Sequence, residues 1–325
     1  MNARVPGTFS RSRRHSTDLA FRVGTGAFAL LIVLIVAGIG VELTRQSWLA
    51  IQKFGLAFWR TETWDPVQGE FGALPFIWGT LYSSILALLI ATPIAIGIAV
   101  FISELCPAWL TQPMVFLTEL LAAIPSIVYG LWGIFVLVPA VRWLETSTPA
   151  ALRSWGLFSG PPLGLGMLAA ALILAVMVLP FISSVAREVL RAVPAAQREG
   201  AYALGATRFE AISAALFYAR TGIVGAVMLG FGRALGETMA VTMVIGNNPK
   251  ISLSLFAPQY TMSAVIANEF AEAADDLHLH ALIEIGLVLF IITLIVNSLS
   301  RLLIWTMGSS ARRAARPPQP EVVAA

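Results

Sequence analysis

Residues 221–245 read TGIVGAVMLGFGRALGETMAVTMVI, an apolar stretch whose only charges are Arg233 and Glu237. At about 1.5 Å of rise per residue, a helix of this length crosses the ~30 Å hydrocarbon core of a bilayer. Each charge at mid-membrane costs roughly 2.5–3.5 kcal/mol on insertion scales, so such residues persist where they line a polar path or neutralise each other. A cation there points to an anion pathway. The plainer alternative is a structural ion pair, because positions i and i+4 share one helix face.

Five further runs are long enough to span, which gives six in all, at about 21–43, 74–103, 114–141, 163–186, 221–245 and 281–306. A backbone embedded in lipid must satisfy its own hydrogen bonds, so the fold class is an all-α membrane protein with six transmembrane helices. Composition agrees: 58% of the residues are hydrophobic, 12% are charged and the mean hydropathy is +0.81, more apolar surface than a soluble core hides. The first run follows Arg4, Arg11, Arg13 and Arg14 like the basic start of a signal peptide. It is too long and lacks a clear small-residue cleavage site, so it reads as an uncleaved anchor. The chain thus divides into an N-terminal arm at 1–20, a six-span domain at 21–307 and a tail at 308–325. Pro317, Pro318 and Pro320 mark that tail as disordered.

Lys and Arg divide unevenly when alternate connections are assigned to opposite sides, with both termini together because the number of spans is even. One side receives Arg4, Arg11, Arg13, Arg14 and Arg22, then Arg187, Arg191, Arg198, Arg208 and Arg220, then Arg301, Arg312, Arg313 and Arg316. The other receives Arg45, Lys53, Arg60, Arg142, Arg153 and Lys250. The richer side is predicted to be cytoplasmic, which places both ends and the 187–220 connection there. The formal charge of +3 and pI near 9.3 do not mark a nucleic-acid partner, since the arginines form no single basic face. Cys106, as the one cysteine, cannot form an internal disulfide.

Between the fourth and fifth runs, residues 187–212 read REVLRAVPAAQREGAYALGATRFEAI. Pro194 opens a second short helix and Gly205 ends it in a left-handed turn, which leaves an Ala-rich helix with Tyr202 and Leu204 exposed. Such a helix either meets a partner or rests on lipid headgroups. Here the chain resembles the permease subunits of bacterial ABC importers, whose cytoplasmic loop carries Glu-Ala-Ala, three residues, then Gly. Glu199-Gly200-Ala201 followed by Gly205 keeps that spacing with Gly200 in place of the first Ala. Ala215 and Phe217-Tyr218 stand where the pattern expects Ile and Leu-Pro.

The resemblance narrows to the phosphate-importer permease of PstC type. It is carried by ELLAAIPSIVYG at 119–130, GRALGETMAV at 232–241 and IANEF at 266–270, and extends over about Pro75 to Ile304. What it implies is a MetI-like type I ABC importer permease fold in a bacterial inner membrane, with the chain forming half of the translocation pathway. It also implies a second permease (PstA type), a homodimeric ATPase (PstB type) that carries ATP and Mg, and an external phosphate-binding protein (PstS type). Glu199, Gly200, Ala201, Leu204 and Gly205 are then the coupling contact for the ATPase. This chain itself is expected to hold no cofactor.

The residues bear a physical reading beside that resemblance. Gly232 and Gly236 form a small-xxx-small ridge that lets a neighbouring helix approach. Arg233, Glu237 and Thr238 project near that seam as pathway residues, and a planar guanidinium suits an oxyanion better than an ammonium does. Phosphate near neutral pH retains a proton that sulfate lacks, so a Glu237 carboxylate either filters by protonation state or only orients Arg233. Glu119 is predicted to be buried before Pro125, which removes a backbone donor and kinks the third span. Ser126, Tyr129 and Gly130 line that bend, which is either a gate hinge or a fixed kink. Glu284 is expected to snorkel to headgroups at the outer end of the sixth span.

The acidic segment from Asn268 to His280 lacks metal-ligand spacing, reads as a solvated face and is a candidate surface for the binding protein. Neither Lys53 nor Lys250 sits in a Gly-x-x-x-x-Gly-Lys setting, and no nucleophile or zinc motif occurs, so the chain is not an enzyme and energy must come from a partner. Other oxyanions such as sulfate or molybdate remain open as cargo. So does an ATP-independent secondary transporter or channel, although no internal repeat favours it.

Overall fold

The computed structural model describes residues 11–153 and 155–314; the rest of the arm and the proline-rich end of the tail lie outside the described residues. The helices are α1 (Arg11–Gln46), α2 (Trp48–Phe54), α3 (Leu74–Val100), α4 (Ala108–Ala123), α5 (Ser126–Trp132), α6 (Val138–Ser147) and α7 (Ala150–Arg153). They continue with α8 (Met167–Arg191), α9 (Ala195–Ala203), α10 (Arg208–Leu235), α11 (Met239–Thr242), α12 (Met262–Glu269) and α13 (Asp276–Ala314). Isolated bridges are the only β pairing among the described residues. Six segments are long and apolar enough to cross a membrane: Phe21–Gln46, Leu74–Leu105, Ser126–Ser147, Met167–Arg191, Arg208–Leu235 and Asp276–Met307. Alternation of six spans puts Arg11, Ala314 and α9 at one end of the bundle.

Prolines set the punctuation. Cys106 and Pro107 are extended and stop the second span, and α4 starts directly after them. Ile124 and Pro125 are extended in turn, with ψ of 128° and 141°, because a residue before proline is pushed out of the helical region. The apolar run at 114–141 is therefore not one span. It is a separate helix α4 followed by a spanning segment that begins at Ser126. The fifth span also differs from its sequence reading at 221–245. It begins at Arg208, behind a capping box between Thr207 and Glu210, and it ends at Leu235.

α8 is the central helix, 61% buried over its most apolar stretch, whereas α1 is 0% buried over its own and lies at the periphery. Ala87, Ala91, Ala95 and Ala99 recur every four residues along α3, so one Cβ-only stripe meets α8 and joins the main core. On the other side, α10 approaches α8 through Gly222 and Gly230. A Cβ on these would lie 2.5 Å from Val189 and 2.6 Å from Ile182. A second core at the end away from α9 gathers Phe58, Phe71, Phe76, Met262, Leu282 and Ile285.

Beyond Leu235 the chain folds back into the bundle without a long helix. Non-helical backbone at such depth is tolerated only where its polar groups are paired. The pairing comes from α8: the Gly166, Met167 and Leu168 amides donate to the Val244, Ala257 and Leu255 carbonyls at 3.0, 3.2 and 2.7 Å. Those bonds also satisfy the free amides at the start of α8.

Candidate functional site

Arg233 occupies the last turn of α10, where the partial negative charge of a helix C-terminus favours a cation. Its guanidinium carbon lies 4.6 Å from the centre of the Phe181 ring of α8. Phe181 is fourteen residues into α8, about 21 Å from its start, so this cation–π contact sits well inside the bundle. The Arg233 Nε is buried and has no hydrogen-bond partner. Among the described residues, no carboxylate pairs with it.

Glu237 is not one turn further along the same helix. Gly236 caps α10 at φ −92°, and Glu237 follows outside it, half-buried, with its carbonyl accepting from Ser263 Oγ at 2.8 Å. The i, i+4 ion pair considered from sequence is absent, because the helix ends before the second charge. Thr238, also half-buried, makes a weak bond of 3.4 Å to the Gly236 carbonyl and starts α11. The small-residue ridge is likewise interrupted. The Cβ position of Gly232 faces Asn297 of α13 at 3.4 Å, whereas Gly236 is exposed and meets only its own turn.

The third-span candidates surround the break at Pro125. Gly130 is buried against α11 and the Met243 side chain that follows it: a Cβ there would overlap the Met243 sulfur and lie 3.2 Å from the Ala240 Cα and 3.4 Å from the Met239 carbonyl. Ser126 begins α5 and is half-buried. Tyr129, expected from sequence to line the bend, bridges the break by donating to the Leu121 carbonyl at 2.8 Å. Glu119 is not buried: its side chain is 62% exposed, because it lies on the outer face of α4. It approaches Arg187 of α8 at 3.9 Å, while Arg187 bonds Glu188 at 2.8 Å.

Arg187 itself is the residue that sequence reading missed. It is 7% exposed, with Nε and Nη1 buried and unbonded. Placing the end of the fourth span at residue 186 assigned it to a surface, and the helical continuation to Arg191 is the signal that corrects this.

At the α9 end, Pro194 precedes α9 and Gly205 follows it at φ +83°. The Ala206 amide bonds the Ala201 carbonyl at 3.0 Å and the Gly205 amide bonds that of Tyr202 at 2.9 Å, the paired closure that glycine makes possible. Glu199, Gly200 and Gly205 are exposed, Ala201 is half-buried, and Leu204 is 91% exposed. No residue of α9 is buried.

The opposite end departs from two expectations. The acidic segment is not wholly a solvated face: His278 is buried, stacks on Phe71 and lies 3.2 Å from Glu269, which also accepts from Trp64 Nε1 at 2.9 Å. Tyr260, nearby and buried, accepts from Asn268, and burial holds its phenol well above its ordinary pKa. Glu284 does not snorkel. It is 3% exposed, with one carboxylate oxygen unbonded, because α13 turns that face toward the second core.

Six apolar spans, an exposed short helix between two of them and an unpaired intramembrane cation define a transport component of a membrane. The family model described as "Binding-protein-dependent transport system inner membrane component" matches residues 91–307. The chain is 48% identical over 294 residues to the "Phosphate transport system permease protein PstC" of Mesorhizobium japonicum, covering 88% of this chain and 89% of that one. It is 47% identical over 295 residues to the PstC of Haemophilus influenzae, covering 88% and 93%. Against a probable PstC of Methanocaldococcus jannaschii the identity is 39%, over 76% and 81%. Among solved structures, an inward-facing form of the MetNI methionine ABC transporter matches with a TM-score of 0.54 at 16% identity, over 71% of this chain and 94% of that one, which shows the shared fold. The chain therefore belongs to the binding-protein-dependent transport permeases and, within them, to the PstC family. It is a multi-pass, non-catalytic permease subunit that works with other subunits of an ABC transporter.

Proposed function

We propose that this chain forms one half of the membrane path of an ATP-driven inorganic phosphate importer. The observation that carries the reading is Arg233, a cation inside the apolar bundle with a buried, unbonded Nε and no carboxylate partner. Phosphate oxygens supply the acceptors that such a guanidinium lacks. One cation holds an anion weakly enough to release it. Glu237, Thr238, Ser126 and Glu119 extend the path in this reading, and the Glu237 carboxylate accepts a hydrogen bond from the O–H that phosphate keeps and sulfate lacks.

The α9 end and both termini face the cytoplasm, and an ATPase homodimer of PstB type, carrying ATP and Mg, docks on Glu199, Gly200, Ala201, Leu204 and Gly205. A second permease of PstA type covers the exposed turn at Gly236. A phosphate-binding protein of PstS type meets the opposite end. The test is the assembled complex in vesicles. Phosphate uptake is expected to follow ATP with ion gradients collapsed and to resist excess sulfate, and Glu237→Gln is expected to let sulfate compete. Uptake that follows an ion gradient instead of ATP refutes the importer, and a Glu237→Gln complex that still rejects sulfate refutes the filter.

A further inference from the structure

One arginine and one glutamate fasten α9 to the bundle, a second arginine ties α10 to the same place, and none of them lines the path above. Glu104 lies in the π-helical turn Phe101–Leu105 that finishes the second span, with its side chain 11% exposed. Arg198, on α9, reaches it as a two-pronged fork, Nε at 3.1 Å from Oε2 and Nη2 at 2.6 Å from Oε1. The same guanidinium donates to the carbonyls of Leu190 and Val193, at 2.9 and 3.0 Å, where α8 ends. Arg208, the first residue of α10, donates to the Glu104 carbonyl at 2.7 Å.

The last turns of α3 and α8 and the first turn of α10 therefore meet at one cluster with α9 in it. Since no residue of α9 is buried, apolar packing does not hold that helix in place. Pro194 and Gly205 bound it with two changes of backbone direction about which a short helix swivels. The fork removes that freedom. A π-turn, rare in helices and common at functional positions, presents the carboxylate that makes this possible.

We infer that Arg198 and Glu104 are the rivet through which displacement of α9 moves α3, α8 and α10 as one body. They are positioning residues, touching neither cargo nor ATPase. The inference rests on the reading of α9 as the docking helix for an ATPase. Without the fork, a partner moves α9 alone, and hydrolysis proceeds without opening the path.

The experiment compares Glu104→Gln with wild type in the assembled complex, reading phosphate uptake and ATP hydrolysis in the same vesicles. Hydrolysis is expected to stay within about twofold while phosphate moved per ATP falls about tenfold, the size of a typical coupling between sites. Uptake and hydrolysis that fall in proportion, or neither changing, overturns the rivet. Arg198→Lys keeps the charge and loses the fork, and it decides by the same outcomes should Glu104→Gln not assemble. Amide hydrogen exchange over residues 195–206 gives a second reading independent of cargo, expected about tenfold faster in Glu104→Gln. Unchanged protection sinks the inference even if the wild-type complex moves no phosphate, a result that counts against the transport reading instead.

Discussion

Arg198 and Arg233 are the same side chain in opposite surroundings. Arg198 commits every guanidinium nitrogen to a fixed acceptor, two of them on one carboxylate. Arg233 rests on the face of Phe181 and leaves Nε buried and bare. A saturated guanidinium is a fastener, because its partners would be orphaned by its loss. A bare one in a low-dielectric interior is costly for the fold, and the proposed function explains its place by a partner that comes and goes. Arg187 stands between them, paired through Nη2 and bare at Nε and Nη1.

The contrast breaks most visibly at Arg198. Arg198→Met leaves the Glu104 carboxylate and the α8 carbonyls without donors, and stranding one partner of a largely buried pair costs about 3–5 kcal/mol. Yield and thermal stability of the complex are expected to drop sharply. A variant as stable as wild type would show that the fork fastens nothing.

Arg233→Gln is expected to reverse the pattern. It strands no carboxylate, so assembly and thermal stability are retained, while uptake falls about 100-fold, the scale seen when one preorganised donor to an oxyanion is removed. Arg233→Lys keeps the charge without the planar fork and falls between the two. If Arg233→Gln transports normally, the bare guanidinium is not on the path. If it unfolds the subunit, the classification by saturation fails.

These two arginines also separate what a sequence tells from what it hides. Six spans follow from apolar length alone, and the stop at Gly205 follows from the conformation that glycine admits, which φ of +83° realises. The end of α10 is hidden, because Met239 to Ile245 stay apolar after the helix has stopped at Leu235, and hydropathy does not distinguish a span from a buried fold-back. Burial at Glu119 is misread for the same reason: apolar neighbours lie on an exposed helix face as readily as in a core. The partnership of Arg198 with Glu104 joins residues 94 apart and leaves no local trace. Arg233 was legible because a charge inside a long apolar run needs a reason wherever the helix ends.

Glycines sharpen the comparison at smaller scale, since some are packed against this chain and others face nothing in it. Gly130→Ala pushes a methyl into the Met243 sulfur, which can move, and toward the α11 backbone at Ala240 and Met239, which cannot give way as a side-chain tip does, so a loss of about 1–3 kcal/mol is expected. Gly236→Ala meets only ordinary 3.9 Å contacts with its own turn and has a φ that any residue adopts. It is expected to leave the lone subunit unchanged within about 0.5 kcal/mol. Reduced recovery of a second permease with Gly236→Ala alone would then place the partner's helix against that open turn. Equal effects of the two changes on the lone subunit would contradict the packing.

The smallest effect is expected at the break before α5. Tyr129 closes it with one hydrogen bond, and Tyr129→Phe removes about 1 kcal/mol while leaving the Leu121 carbonyl its second, longer bond of 3.4 Å from the Ile124 amide. Ile124 and Pro125 are extended for steric reasons that the change does not touch. A fixed kink therefore tolerates the substitution, with uptake lowered in proportion to stability and nothing more. If Tyr129→Phe instead stops transport in a complex of normal stability, the hydroxyl is holding a joint that opens during the cycle. The third span then joins Arg198 among the parts proposed to carry motion, apart from the bare cation proposed to meet cargo.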